Sequence, residues 1–299
     1  MAVSHGFNLT EATTSVSAPV QVSSGLQIIV GTAPVNQLAN PAAAVNTPLY
    51  VSTYKEAVAA VGWSSDFAKY TLCEAISANF QVVGTAPIVV INVLDPKNKK
   101  HITALDETSV QVNDGVAEID KVGILLEKLV VKKDTTTLTA DVDYIASFND
   151  DGTVSLALII GGAGDGATTL NVSGSILDAS KVTADDIVGG VNAATGAETG
   201  LEVVRQVYPK LSKAPGILLA PRFSKNAQVC AALQAKCRKI NGLFNAVCFI
   251  DLDCSADGVQ KYTDVAEQKT KQTATSREAY ALWLYVKVGE TVYSGRSPG

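Results

Sequence analysis

The sequence predicts an α/β fold: a discontinuous α/β body with an inserted β-rich domain and an extended N-terminal arm. Three observations predict it. Near both ends of the 299 residues, continuous apolar runs of strand length alternate with helix start signals, the pattern of a sheet covered by helices. Between Pro96 and Gly190 the period changes, and strand-like segments follow one another without helices. That same stretch holds 15 acidic and 8 basic residues, against 14 and 16 in the rest of the chain. Acidity confined to one segment is expected of a solvated module set into a different body. The chain thus divides into an arm over residues 1–26, a body made from 27–95 and 191–299, and an acidic β-rich domain over 96–190.

The elements follow in order. In the arm, Val16, Ala18, Val20 and Val22 alternate with polar residues and Pro19, the period of a half-buried strand at an edge or in an added position. Leu26 to Val30 reads as a short buried strand, and a Pro- and Asn-rich loop follows to Pro48. Thr53-Tyr-Lys-Glu56 is a capping box; it opens a helix that buries Ala57, Val58 and Val61 and stops at Gly62. Ser65 is placed to cap a second helix, with Leu72, Ile76 and Phe80 on one face. Pro87 to Leu94 (PIVVINVL) reads as a central strand.

In the middle segment, Val110–Val112, Lys128–Val131, Asp143–Phe148 and Val154–Ile160 are strand-like, with turn chemistry at Asn149-Asp-Asp-Gly152. After it, Thr199-Gly-Leu-Glu202 is a second capping box, and Pro209 falls just past the last apolar turn of its helix. Gly216 to Ala220 reads as a buried strand. Ser224 is placed to cap a helix whose Cys230, Leu233, Cys237 and Ile240 share a face. Ala246 to Asp251 is a further strand, Tyr262 to Gln272 a short helix or loop, and Ala279 to Val288 a last strand.

Composition narrows the function. Charged residues are 18% and hydrophobic residues 47%, against a usual charged share of about 25%. The net charge of −5 supplies no basic field for nucleic acid or anionic lipid. No apolar run is long enough to span a membrane. The N-terminus lacks the basic and apolar regions of a secretory signal. Cys73, Cys230, Cys237, Cys248 and Cys254 sit within apolar patterns rather than at framework spacings, which suits buried thiols made in a reducing cytoplasm.

Catalytic motifs fail on inspection. Gly295-Arg-Ser-Pro-Gly299 matches a hydrolase elbow by letters, but Pro298 follows the serine and the two histidines, His5 and His101, precede it. Gly161-Gly-Ala-Gly-Asp-Gly166 lacks the Lys-Ser/Thr of a phosphate loop. Asp251, Asp253 and Asp257 resemble a calcium loop, but Ala256 stands where glycine is needed and Tyr262 where glutamate is. The cysteines form no zinc spacing. The expectation is no catalytic residues, no metal and no cofactor. Asn8-Leu-Thr10 and Asn171-Val-Ser173 are glycosylation sequons that matter only in a secreted eukaryotic protein.

The order of segments resembles the tail sheath proteins of contractile bacteriophages. The residues that carry the resemblance are Ser4-His-Gly-Phe-Asn-Leu-Thr-Glu11, Val30-Gly-Thr-Ala-Pro34, Tyr54-Lys-Glu-Ala57 and Pro87–Pro96. Thr199-Gly-Leu-Glu202 through Val204, Tyr208-Pro209, Pro215–Pro221, Ala231–Cys237 and Ile240-Asn-Gly242 continue it. It runs from about Ala2 to about Tyr293, with the middle segment matching only as a variable β-rich insertion.

The resemblance implies a structural subunit, not an enzyme. It would form stacked six-fold rings around an inner tail tube and contract to drive that tube through a bacterial envelope. Its implied partners are other sheath subunits, the inner tube protein, and baseplate and tail terminator proteins, with no direct nucleic acid and no membrane insertion. It would be made in the host bacterial cytoplasm and reside in a virion tail or phage-like particle. Val16, Ala18, Val20 and Val22 would form a self-assembly arm adding a strand to a neighbour's sheet. The acidic insertion would face outward. The family continues past the strand at Ala279–Val288 into a further domain, and without it residues 1–299 are expected to remain monomeric or weakly associated. Two alternatives stay open: an α/β enzyme or binding protein for a phosphorylated small molecule, using the strand end at Asp251, and a β-rich surface adhesin.

Overall fold

The computed structural model describes residues 25–255, 258–283 and 286–293. In chain order, β1 (Gln27–Gly31) is followed by 3-10 turns at Val35–Gln37 and Pro41–Ala44, then β2 (Leu49–Val51), α1 (Tyr54–Val61) and α2 (Thr71–Ile76). The last runs into a wider π-helical turn over Ser77–Val83 before β3 (Ile88–Asn92). Seven strands come next: β4 (Ile102–Asn113), β5 (Val116–Ile119), β6 (Val130–Lys133), β7 (Thr136–Leu138), β8 (Tyr144–Phe148), β9 (Val154–Leu158) and β10 (Thr169–Leu177). The chain then forms α3 (Ala184–Val188), a 3-10 segment at Gly200–Gln206, α4 (Val207–Leu211), β11 (Ile217–Leu219), α5 (Ala227–Lys236) and β12 (Val247–Asp251). It closes with α6 (Val265–Lys271), β13 (Ala279–Leu282), β14 (Val286–Val288) and β15 (Thr291–Tyr293).

The first sheet has the order β13-β12-β11-β1-β3-β2. It is parallel except for β2, which runs antiparallel to β3. Every residue of β1 and β3 is buried, as their unbroken apolar runs require of strands covered on both faces. Each such Ile or Val contributes about 1.5–3 kcal/mol by leaving water. The strand order reverses beside β1, because the chain steps from β1 to β3 on one side and later fills β11, β12 and β13 on the other.

The helix starts depart in part from expectation. Thr53 Oγ1 accepts from the Glu56 N–H at 3.2 Å, and Glu56 reaches back to the Ser52 N–H at 2.8 Å. The box therefore closes one residue early, and Val58 is only half-buried. Ser65 caps nothing: Asp66 to Tyr70 is taken up by a turn, and the Leu72 N–H is held at 3.0 Å by Thr32 O at the end of β1. Phe80 falls in the π-helical turn, whose different angular step leaves it half-buried while Leu72 and Ile76 are fully buried. The Thr199 hydroxyl pairs with Gly190 rather than capping, and Glu202 pairs with Arg205 and Lys236. Pro209 lies inside α4, and Arg205 O, four residues before it, accepts instead from the Asn241 side-chain amide at 2.9 Å. Ser224 is buried and accepts the Asp251 N–H at 3.0 Å, and Asn226 caps α5 through the Gln228 N–H at 2.9 Å. The face of Cys230, Leu233, Cys237 and Ile240 is buried as its spacing indicates.

The second sheet, β7-β6-β10-β4-β5-β9-β8, is antiparallel throughout. It curls around its own core, which includes Ile119, Ile124, Val131, Leu156, Leu170 and Val172. The loop over 159–168 packs against this sheet, since a Cβ on Gly164 would lie 3.0 Å from Leu138 on β7 and from Leu158 on β9. At its root, His101 O accepts the Asp178 N–H at 2.8 Å and His101 Nδ1 accepts the Asp95 N–H at 3.0 Å. Leu125, Leu177 and Ala179 pack into the core of the first sheet, and the Asn36 amide donates to Ile124 O at 3.1 Å.

Candidate functional site

Open parallel sheets bind ligands outside the carboxyl ends of their strands, where the strand order reverses. Here side chains from both halves of the body meet at that place, between β1 and β11. Glu74 on α2 is fully buried and pairs with Arg222, which follows β11, through Nε at 2.7 Å and a second nitrogen at 3.4 Å. The Thr32 N–H donates to Thr71 Oγ1 and the Thr71 N–H donates back to Thr32 Oγ1, both at 3.2 Å. A Cβ on Gly31 would stand 2.3 Å from Thr71 Oγ1, so glycine is what lets α2 dock on the end of β1.

The carboxylates at the end of β12 take separate partners. Asp251 accepts the Arg222 N–H at 3.1 Å through its carboxylate, and its own carbonyl accepts from Gln272 at 2.9 Å. Asp253 turns instead to the Ser255 N–H and hydroxyl, at 3.2 and 3.0 Å. Asp257 lies outside the described residues. A neighbouring cavity of about 280 Å³ is lined by Thr71, Arg222, Phe223, Lys225 and Asp251. Among the described residues, no three His, Cys, Asp or Glu side chains are grouped to hold a metal. In the glycine-rich loop, the Gly161 N–H is taken by Asp165 and the Ala163 N–H by Asp143, both at 2.8 Å. Those amides are therefore not free to converge on a phosphate. The Thr139 and Ala163 N–H groups hold the Asp143 carboxyl below its ordinary range.

Cys73, Cys230, Cys237 and Cys248 are buried, and Cys254 is partly exposed. Burial pushes the Cys73 thiol up to about 12 and the Cys230 thiol up to about 11. A hydrogen bond with Cys248, together with burial, raises Cys237 as well. These thiols are packing groups, not nucleophiles. The elbow-like Gly295–Gly299 lies outside the described residues.

What the fold leaves open is edge. The first sheet ends at β13 and at the three-residue β2. Beyond β13 its ladder has no further strand among the described residues, and Tyr280 there packs on Phe249 with ring centroids 5.6 Å apart. Unpaired edge backbone is a ready template for another strand. The arm residues Val16, Ala18, Val20 and Val22 lie outside the described residues.

The expected strand at Ala279–Val288 proves to be two. Its second half, β14, pairs with β15 as a hairpin tied to the body by the Tyr293 hydroxyl, 3.1 Å from Ser77 Oγ, and by its ring, 5.9 Å from Phe67. The signal for it was Gly289-Glu290 between two alternating triplets, a two-residue turn with glycine in the left-handed region. Val286, Val288 and Val292 remain exposed.

No protein-family model matches the chain. Among curated proteins it matches the tail sheath protein of Burkholderia phage BcepMu, 29% identical over 291 residues. The match takes in 96% of this chain, which spans only 57% of that relative's length. From one end almost to the other, the chain is thus similar to a bacteriophage tail sheath protein.

Proposed function

We propose that this chain is a structural subunit of a contractile tail sheath. It polymerises as stacked six-fold rings around an inner tail tube and contracts to drive that tube through a bacterial envelope. The observation that carries this is the end-to-end similarity to a phage tail sheath protein. Its partners are other sheath subunits, the tube protein, and baseplate and terminator proteins; its place is the virion tail after synthesis in the host cytoplasm. It performs no catalysis.

Residues 96–190 form a distinct solvated domain on the outer side of the assembly. The arm carrying Val16, Ala18, Val20 and Val22 adds a strand to an open sheet edge of a neighbour, backbone bonds giving attachment and alternate side chains giving register. Electron microscopy of the protein expressed from its complete reading frame tests the assignment. Thermal stabilisation by a phosphorylated small molecule, lost on changing Lys225 in the cavity beside Asp251, would instead move the ligand-binding reading to the front.

A further inference from the structure

Charge on this chain is segregated in space as well as in sequence. The N-terminal ends of β11, β12 and β13 open into a groove of about 730 Å³ whose lining includes Arg238, Lys239, Asn245, Arg277 and Glu278. Glu278 engages both arginines, Arg238 at 2.9 Å and Arg277 at 3.0 Å. The groove therefore sets one carboxylate against three cations, all three exposed. Beside it, the turn after α5 presents Leu243, 71% exposed. That turn is closed by two Ile240–Phe244 backbone bonds at 2.7 and 3.0 Å, with Leu243 inside it.

The opposite pole lies at the far end of the second sheet. The β4–β10 ladder runs from Ile102↔Leu177 at the root to Gln111↔Thr169, and the turns beyond carry exposed Asp114, Asp134, Asp141 and Asp165. The β8–β9 ladder ends at Tyr144↔Leu158, and Val142 and Ile160 lie in the turns just beyond it. These two are 62% and 92% exposed. Each pole thus joins an exposed apolar centre to charges of one dominant sign, and the two signs are opposite.

We propose that the basic groove of one copy receives the acidic far end of the second sheet of another copy, with Leu243 meeting Val142 and Ile160. The contact rests on the sheath reading, because it joins identical chains. An apolar centre with a charged rim is the anatomy of a specific interface, the charges setting approach and register. Because the two surfaces differ, the contact is head-to-tail and propagates a ring or helix instead of closing a dimer. Only the terminal turns of the acidic sheet are engaged, so its flanks stay in solvent.

The test uses protein from the complete reading frame in a Cys254→Ser background. Leu243→Cys combined with Ile160→Cys is oxidised after assembly, with each single cysteine variant as control. The expected result is a ladder of covalent oligomers from the double variant alone. A second variant, Asp134→Asn/Asp141→Asn/Ile160→Ser, keeps residue types that tolerate the left-handed backbone at 134 and 141. It is expected to raise the concentration needed for assembly by about tenfold or more and to flatten its salt dependence. Polymers that give no ladder, or a second variant that assembles like the parent, overturn the contact and leave the sheath reading standing. A parent protein that forms no polymer overturns both.

Discussion

Arg222→Ala removes the guanidinium that meets Glu74 at the strand-end crevice. The partner it deserts, Glu74, has no solvent exposure, while Arg222 is 29% exposed. Removing one member of a buried, hydrogen-bonded pair typically costs about 3–5 kcal/mol, because the other charge stays buried. The second bond is long, at 3.4 Å, and water can reach the arginine side, so the loss falls at the lower end, about 3 kcal/mol. Alanine inherits the left-handed backbone of Arg222, φ 62°, so backbone strain does not enter the difference. Arg222→Gly relieves that strain and is expected to cost about 1 kcal/mol less than alanine. Urea unfolding followed by circular dichroism reads the effect: at a slope of about 2–3 kcal/mol/M the midpoint drops by about 1 M. Glu74→Gln/Arg222→Met, which withdraws both charges, should recover most of the loss. A midpoint unmoved by Arg222→Ala would refute the claim that this pair stabilises the body.

Other outcomes follow from the same geometry. Gly200 has φ 58°, and a Cβ there would stand 2.4 Å from Ile187 O; Gly200→Ala should cost at least about 2 kcal/mol, whereas Gly196→Ala, at φ 69° in open space, should cost about 1 kcal/mol. Maleimide labelling without denaturant should modify Cys254 and spare Cys73, Cys230, Cys237 and Cys248, and fast labelling of any of those four would contradict their burial. For Asp178 and Asp186, burial raises the pKa, but hydrogen bonds from Ser180 and Thr103, and from Thr183 and His101, outweigh it, and both carboxyls end lower in the fold. Groups lowered on folding stabilise above their unfolded pKa and lose that contribution as pH falls through the folded one. The urea midpoint should therefore hold between neutral pH and about 5 and decline below about 4; a midpoint that rises on acidification would contradict this. Residues 96–190 expressed alone should unfold cooperatively, since the second sheet has its own core; a non-cooperative transition would deny them the status of a domain.

How much of this was legible in the sequence depended on burial. β1, β3, β11 and β12 were visible because strands covered on both faces are continuously apolar, and that signal needs no neighbours to interpret. β10 was missed because Thr169–Leu177 has one wet face and carries Gly174 at a register irregularity, where a Cβ would meet Lys128 O at 2.5 Å. The misassigned caps at Ser65, Thr199 and Ser224 share one cause. Each serine or threonine stands next to a turn, a glycine or a strand end that takes up the local backbone bonds, and such competition is tertiary. The crevice was half legible: the sequence put carboxylates at the end of β12, but Glu74 and Arg222, 148 residues apart, carry no local pattern that announces their pairing. The open edge at β13 depends on strand order, which the sequence leaves unstated.

The most direct test of the central claim is electron microscopy of protein from the complete reading frame, over a range of concentrations and with the cognate tube protein present or absent. Hollow tubes or stacked rings with six-fold symmetry are the predicted result. A small, monodisperse particle at every concentration, with or without the tube, would contradict the account.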